Sequence, residues 1–227
     1  EFIEADLKRG QPFEGRNFLI TAGPTFEAID PVRYVGNYSS GKMGYALAEA
    51  AAEMGAAVTL ISGPTHLRPE NSDIRLVRVV TAEDMYKKAL EFFPDSDVVI
   101  GAAAVSDYRP ESAAVEKIKK SGDSLHLKLV RNPDIIATLG KRKKDQFVLG
   151  FALETERELE HAKQKLIKKE LDAIVLNSLK DPGAGFGSDT NKVTFIDKNL
   201  EITPFELKTK AEVARDILHE IYKRLPK

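Results

Sequence analysis

The chain has no cysteine and no tryptophan, and only four histidines and three methionines among 227 residues. Without a thiol there is no disulfide framework, no thiolate metal site and no cysteine nucleophile, and that absence fits a reducing compartment. An excess of charge is missing too: 34 Lys and Arg against 35 Asp and Glu leave a formal net charge of -1, which gives no support for general nucleic-acid binding. No apolar run approaches the about 20 residues of a membrane-spanning helix, and no signal-peptide pattern is visible. Repeats and low-complexity tracts are absent. What is there is 42% hydrophobic and 30% charged, enough for one core in one α/β domain. A cytoplasmic location with no membrane partner is the expectation.

Residues 1–16 show no strong period and begin without Met. They read as a linker from an upstream domain or a cloning remnant, which leaves 17–227 as a single domain. Asn17 to Thr21 is a short apolar strand, and an Ala-rich helix spans Lys42 to Met54, with Gly55 suited to the left-handed position after it. Its Tyr45, Leu47, Ala48, Ala51, Ala52 and Met54 form the apolar side. Strands follow at Val58 to Ile61 and Ile74 to Val80, then a helix from Ala82 to Phe93 capped by Thr81, and a strand from Asp97 to Gly101. Ser124 to Val130 alternates as a half-exposed antiparallel strand. Asn132 and Pro133 start a helix, as cap and first residue. Gln146 to Phe151 and Leu171 to Leu176 are strands around a charged helix, Thr155 to Glu170. After a Gly-rich loop at 181–189 come a hairpin (Lys192 to Asp197, Glu201 to Thr203) and a last helix, Lys208 to Leu225, with Ala211, Val213, Ala214, Ile217, Leu218 and Ile221 facing the core. The order predicts an α/β fold: a Rossmann-like, mainly parallel sheet flanked by helices, with an added antiparallel strand and a C-terminal hairpin.

The stretch from Thr21 to Gly44 joins the first strand to the first helix and so lies at the carboxyl end of the sheet, where open α/β sheets bind ligands. Gly36, Gly41 and Lys42 approach a P-loop, but Met43 stands where Ser or Thr would hold magnesium. Gly23 is followed by Pro24 and Thr25, so the dinucleotide pattern Gly-x-Gly-x-x-Gly is absent. Ser39, Ser40, Gly41 and Gly44 fit two roles equally: a capped helix start with close helix–sheet packing, or an anion site at a helix N-terminus. A structureless connection this long is usually functional. Elsewhere, Ala102 to Ala104 leave a strand end bare. Asp107 is either an Asx-turn before Pro110 or a ligand, and Lys117 to Lys120 is a solvated face or a basic flap. Phe151 is a core ring or a platform for a base, and Lys165 and Lys169 share a helix face.

Several of these stretches, taken in order, resemble the phosphopantothenoylcysteine synthetase family. They are Ile20 to Thr25, Asp30-Pro-Val-Arg-Tyr34, Asn37-Tyr-Ser-Ser-Gly-Lys-Met-Gly44, Gly101 to Pro110, Lys117-Ile-Lys-Lys120, Asn132-Pro-Asp-Ile135 and Gly150-Phe-Ala-Leu-Glu-Thr155. The resemblance runs from about residue 17 to the C-terminus. In many bacteria that enzyme is the C-terminal half of a fused synthetase–decarboxylase. The resemblance implies a ligase of coenzyme A biosynthesis: CTP activates 4'-phosphopantothenate as an acyl-cytidylate, and L-cysteine then forms the amide and releases CMP. It implies nucleotide contacts from Gly23, Ser39, Gly41, Gly44, Gly101, Ala102, Ala103, Asp107 and Lys117, from Pro133, Asp134, Ile135 and Ile136, and from Phe151, Lys165, Lys169 and Asn177. Asn37, Ala103, Ala104 and Asp107 would hold phosphopantothenate, with Asn37 and Lys117 acting in the chemistry. Arg33 would reach the substrate of a neighbouring subunit, which makes the enzyme a homodimer. Magnesium on the triphosphate is implied, but no carboxylate cluster identifies its ligands. Tyr38 stands where many relatives have His, so no proton-transfer role is assigned there. Two rivals are an NAD(P)-dependent reductase, which lacks its glycine pattern here, and a nucleotide sensor that releases no pyrophosphate.

Overall fold

All but the first residue of β1, Asn17–Ala22, are buried, and alternate side chains enter different cores. Phe18, Ile20 and Ala22 join one cluster, while Leu19 joins the other. A strand covered on both faces is the mark of a central parallel strand. The structure, a computed structural model, describes residues 11–120, 122–154, 156–178 and 187–226. Just before β1, inside the stretch expected to be linker, Phe13 is fully buried and meets Phe18 edge-on with ring centroids 4.8 Å apart.

In chain order, β1 is followed by β2 (Phe26–Ala28), β3 (Tyr34–Gly36), α1 (Lys42–Glu53), β4 (Ala57–Ser62) and β5 (Arg75–Arg78). Then come α2 (Ala82–Phe92), β6 (Val98–Gly101), β7 (Tyr108–Pro110), β8 (Leu129–Arg131), α3 (Ile135–Arg142) and β9 (Phe147–Glu154). The chain continues through α4 (Glu158–Lys168), β10 (Ala173–Ser178), β11 (Thr190–Asn191), β12 (Val193–Asp197), β13 (Ile202–Pro204), β14 (Lys208–Thr209) and α5 (Lys210–Arg224). Among the described residues, eight strands form one sheet in the order β13-β12-β10-β9-β6-β1-β4-β5. All its pairings are parallel except β10–β12 and β12–β13. The expected Rossmann-like sheet and C-terminal hairpin are present. Helices α1 and α5 cover one face, and α2, α3 and α4 the other. The order therefore reverses between β1 and β6, the switch point at which α/β sheets open a crevice.

Several local expectations are corrected. The stretch from Thr21 to Gly44 is not structureless: β2 and β3 pair as an antiparallel hairpin inside it. Glu27 fixes that hairpin, because its carboxylate accepts the Ala82 N–H at the start of α2 (2.9 Å). The strand expected at Ser124 to Val130 shrinks to β8, which pairs with β7 in a separate two-stranded ribbon. Leu125 and Leu127 are exposed, so their alternation meets no second surface among the described residues. Asn132 is not the cap of α3; Asp134 is, accepting from Ala137 N. Neither Ser39 nor Ser40 caps α1, whose N-cap is Gly41 with no side-chain hydrogen bond. The last helix begins at Lys210, because Lys208 and Thr209 are drawn into pairing with β11; Ala211 is exposed. The loop expected at 181–189 lies mostly outside the described residues.

Candidate active site

A cavity of about 480 Å³ opens at the carboxyl ends of β1, β6, β9 and β10. Small residues make its floor. Ala102 N donates to Thr21 O (3.2 Å), Ala104 N donates to Gly23 O (2.9 Å), and Ala103 N reaches Thr21 Oγ1 (3.3 Å). Gly101, Ala102, Ala103 and Ala104 all line the space. Four lysines on its walls (Lys42, Lys165, Lys169, Lys210) outnumber two aspartates (Asp107, Asp134), so the site is suited to anions.

One wall is the start of α1, where Ser39, Gly41 and Gly44 line the cavity. Gly41 takes a positive φ of 82°, and its N–H donates to Ser39 Oγ (3.3 Å). Because no side chain caps α1, N–H groups of its first turn are left for a ligand. Backbone-on-backbone packing sets this turn. A Cβ on Gly41 would lie 3.3 Å from Gly23 Cα, and one on Gly23 3.3 Å from Gly63 O. Gly23 thus supports the wall from behind and is not among the lining residues. Gly44 serves both of the roles left open by the sequence: it lines the cavity, and a Cβ there would fall 2.5 Å from Ala22 Cβ.

The opposite wall is the start of α3, with Pro133, Asp134, Ile135 and Ile136. Asp134 caps the helix and also accepts Lys169 Nζ at 2.9 Å. Lys165 Nζ lies 2.6 Å from Glu154 Oε1. Phe151 and Asn177 complete this end. Asn177 Oδ1 is buried and has no hydrogen-bond partner among the described residues, an acceptor left open at the cavity.

Asn37 and Asp107 both face the cavity between the walls. Asn37 Nδ2 donates to Ala104 O (3.0 Å) and Val105 O (3.2 Å). The Asp107 carboxylate is exposed and makes no hydrogen bond among the described residues. Its backbone is held by Asn132, whose N–H donates to Asp107 O (2.9 Å) and whose Nδ2 donates to Ser106 O (2.8 Å). That second bond is what occupies the side chain expected to cap α3.

Arg33 and Lys117 do not line this chain's cavity. At the tip of the β2–β3 hairpin, Arg33 is held to Ile118, the residue after Lys117. Arg33 pairs with Asp30 and donates to Ile118 O (2.8 Å), while Asp30 accepts Ile118 N (3.1 Å) and the N–H groups of Val32 and Arg33 (both 2.9 Å). The Arg33 guanidinium holds the Asp30 carboxyl well below the usual carboxylate range; burial opposes it, and the three backbone N–H groups add to it. A depressed native pKa stabilises above the unfolded value of about 3.9 and is lost only as pH falls through the native one. The clasp on Ile118 is therefore expected to hold unchanged from pH 8 down to about pH 4. Asp30→Asn should release it at neutral pH, read as faster tryptic cleavage at Lys117 to Lys120. Equal cleavage rates would contradict this.

Sequence reasoning missed Lys42, Lys210, Asn132 and Asn191 as lining residues. Lys42 was legible, one residue beyond Gly41. Asn191 and Lys210 carried no local signal, because only the tertiary fold brings the C-terminal segment to α1.

The model of the DNA/pantothenate metabolism flavoprotein C-terminal domain matches residues 13–225. The chain is 53% identical over 212 residues to a cysteine/cysteine sulfinic acid decarboxylase from an unknown prokaryotic organism, covering 93% of this chain and 59% of that protein. It is 46% identical over 210 residues to the coenzyme A biosynthesis bifunctional protein CoaBC of Bacillus subtilis, covering 92% of this chain and 52% of that protein. The chain thus spans between half and three-fifths of the curated relatives it matches. The crystal structure of the C-terminal domain of CoaBC superposes with a TM-score of 0.80 at 43% identity, covering 94% of this chain and 97% of that one.

Proposed function

The chain belongs to the DNA/pantothenate metabolism flavoprotein C-terminal domain family, and on that premise we propose that its cavity is the active site of a CTP-dependent phosphopantothenate–cysteine ligase. The observation that carries the reading is the lysine-rich cavity at the sheet's switch point, walled by the uncapped start of α1. In the first step a carboxylate oxygen of 4'-phosphopantothenate attacks the α-phosphorus of CTP; pyrophosphate leaves, and an acyl-cytidylate forms. In the second the amine of L-cysteine attacks the acyl carbon, and CMP departs with that oxygen. Activation is needed because a free carboxylate is a poor electrophile. Both steps need placement and charge more than a protein nucleophile.

The N–H groups at Gly41 to Gly44 and Ser39 would hold phosphates of CTP. Phe151 offers a face to the base, Lys165 and Lys169 flank it, and Asn177 Oδ1 supplies an acceptor for an exocyclic amine. Asn37, Ala103, Ala104 and Asp107 would hold phosphopantothenate. Among the described residues no group of three acidic or histidine side chains could enclose a metal. Magnesium on a triphosphate needs only one or two protein carboxylates, and Asp107, whose carboxylate makes no hydrogen bond among the described residues, would hold it where triphosphate and phosphopantothenate meet. When bound, the ion would offset charge on the leaving pyrophosphate.

Arg33 lies outside this chain's own cavity, as expected of a residue that serves a neighbour's, and Val32 and Tyr34 on the same hairpin are exposed. These features support the homodimer. Lys117 is exposed beside the same tip and would place its charge over the triphosphate. Lys117→Gln is expected to slow pyrophosphate release about tenfold, the effect of one charge-assisted contact of about 1.5 kcal/mol. An unchanged rate would remove Lys117 from the first step.

The name of the 53% identical relative points to a second reading, decarboxylation of cysteine or its sulfinic acid. The two separate in one experiment. The chain is incubated with 4'-phosphopantothenate and cysteine, and with CTP, ATP or NADPH in turn; pyrophosphate and carbon dioxide are both measured. Pyrophosphate release with CTP that depends on phosphopantothenate is expected. Carbon dioxide without pyrophosphate would favour the decarboxylase, NADPH oxidation a reductase, and CTP binding without turnover a sensor. No helix of the described residues is long and apolar enough to cross a membrane; a cytoplasmic location and the upstream decarboxylase domain belong to the same proposal.

A further inference from the structure

Beside Lys42 of the Asn37 to Gly44 stretch, a second lysine that no motif marks lines the cavity. Lys210, the first residue of α5, is only 8% exposed and lines the space. Its Nζ donates to Ser188 O and to Thr190 O (3.1 Å), and its own N–H donates to Asp189 O (2.9 Å). Lys42 comes from the first turn of α1, with Nζ donating to Asp189 Oδ1 (2.7 Å) and Gly187 O (3.0 Å). Burial and then the charge of Lys42 push the Lys210 ammonium below its ordinary range, while Asp189 opposes both. The Asp189 side chain is 87% exposed, so water screens its compensation. Two cations therefore converge on one wall of the cavity beside the uncapped N-terminus of α1. Both lysines line the cavity, so an anion seated there would meet two positive charges at once and relieve the repulsion between them.

We infer that Lys210, together with Lys42, is a phosphate ligand of this cavity, gripping one phosphate group of a substrate against the first turn of α1 and opposite Lys165 and Lys169. The inference rests on the ligase reading, in which either CTP or 4'-phosphopantothenate could supply that phosphate. Asp189 then competes with the phosphate for Lys42, so the two sides of the cluster carry opposite signs.

The test titrates the 227-residue chain calorimetrically with CTP, 4'-phosphopantothenate and cytidine, each alone, for the unmodified protein and for Lys210→Met, Lys210→Arg and Asp189→Asn. Lys210→Met is expected to weaken at least one phosphorylated ligand about tenfold and to leave cytidine unchanged; whichever ligand is weakened identifies the source of the phosphate. Lys210→Arg should recover part of the loss. Asp189→Asn should tighten the same ligand about two- to threefold. A purely structural role for the segment would make both the Met and the Asn variants lose affinity, cytidine included, and that pattern overturns the inference. So does a Lys210→Met protein that binds both phosphorylated ligands like the unmodified chain. If the unmodified chain binds neither ligand, the ligase reading itself fails.

Discussion

Asn37→Asp is expected to release pyrophosphate from CTP and phosphopantothenate but to stall before the amide forms, with cysteine-dependent CMP release falling about a hundredfold or more. The geometry gives the reason. The Asn37 amide donates to two carbonyl oxygens, Ala104 O at 3.0 Å and Val105 O at 3.2 Å. A carboxylate of the same shape has no hydrogen to donate, so it would face both oxygens in repulsion and lose its seat over the Ala-rich floor. In the proposed second step Asn37 acts on the acyl-cytidylate, and these two bonds hold its amide in place for that. The first step draws on the phosphate contacts of α1 and persists. Quenching single turnovers and separating the nucleotides distinguishes the outcomes: acyl-cytidylate accumulates, or the variant turns over normally and Asn37 has no role in the second step.

Gly63→Ala should cost about 3 kcal/mol of stability and lower the melting temperature by about 6–12 °C for a domain of this size. A Cβ at Gly63 would sit 1.7 Å from Pro24 O and 2.9 Å from Pro24 C. Both are backbone atoms, so no rotamer change relieves the overlap. Pro24 is also bridged to Ala104 on its other side, and Gly63 N donates to Ala22 O (3.0 Å), so the turn after β1 has little room to retreat. The damage should extend to the site, because Gly23 and Gly41 are stacked above the same backbone. Gly15→Ala is the comparison: nothing lies within 4 Å of the added carbon, so only the left-handed backbone at φ +76° is penalised, by about 1–2 kcal/mol. A Gly63→Ala protein melting within about 2 °C of the original would show that the turn is softer than its packing implies.

The central strands and α1 were legible because their signals are local. β1, β4 and β6 are short apolar runs, and Thr81 caps α2 as expected, in a capping box with Asp84. The cavity was legible through stretches that recur in order, since Asn37, Asp107, Phe151, Lys165 and Lys169 all line it. What could not be read depends on tertiary partners. Asn132 has the residue type and position of a helix cap, yet its amide bonds Ser106 O and leaves the cap to Asp134. Ser39 and Ser40 are ordinary capping residues, yet the left-handed Gly41 takes the cap position. The alternation at Leu125 and Leu127 predicts a covered face, and the described residues leave it exposed. Lys210 reads as one more lysine at a helix start until β11 and β14 pair and bring it beside Lys42.

The most direct test of the proposed chemistry follows one oxygen atom. Phosphopantothenate labelled with oxygen-18 in its carboxylate is turned over with CTP and cysteine, and the products are weighed by mass spectrometry. Attack of the carboxylate on the α-phosphorus predicts one labelled oxygen in CMP and none in pyrophosphate. Label in inorganic phosphate with CDP as the partner product, or CMP without label, would contradict it.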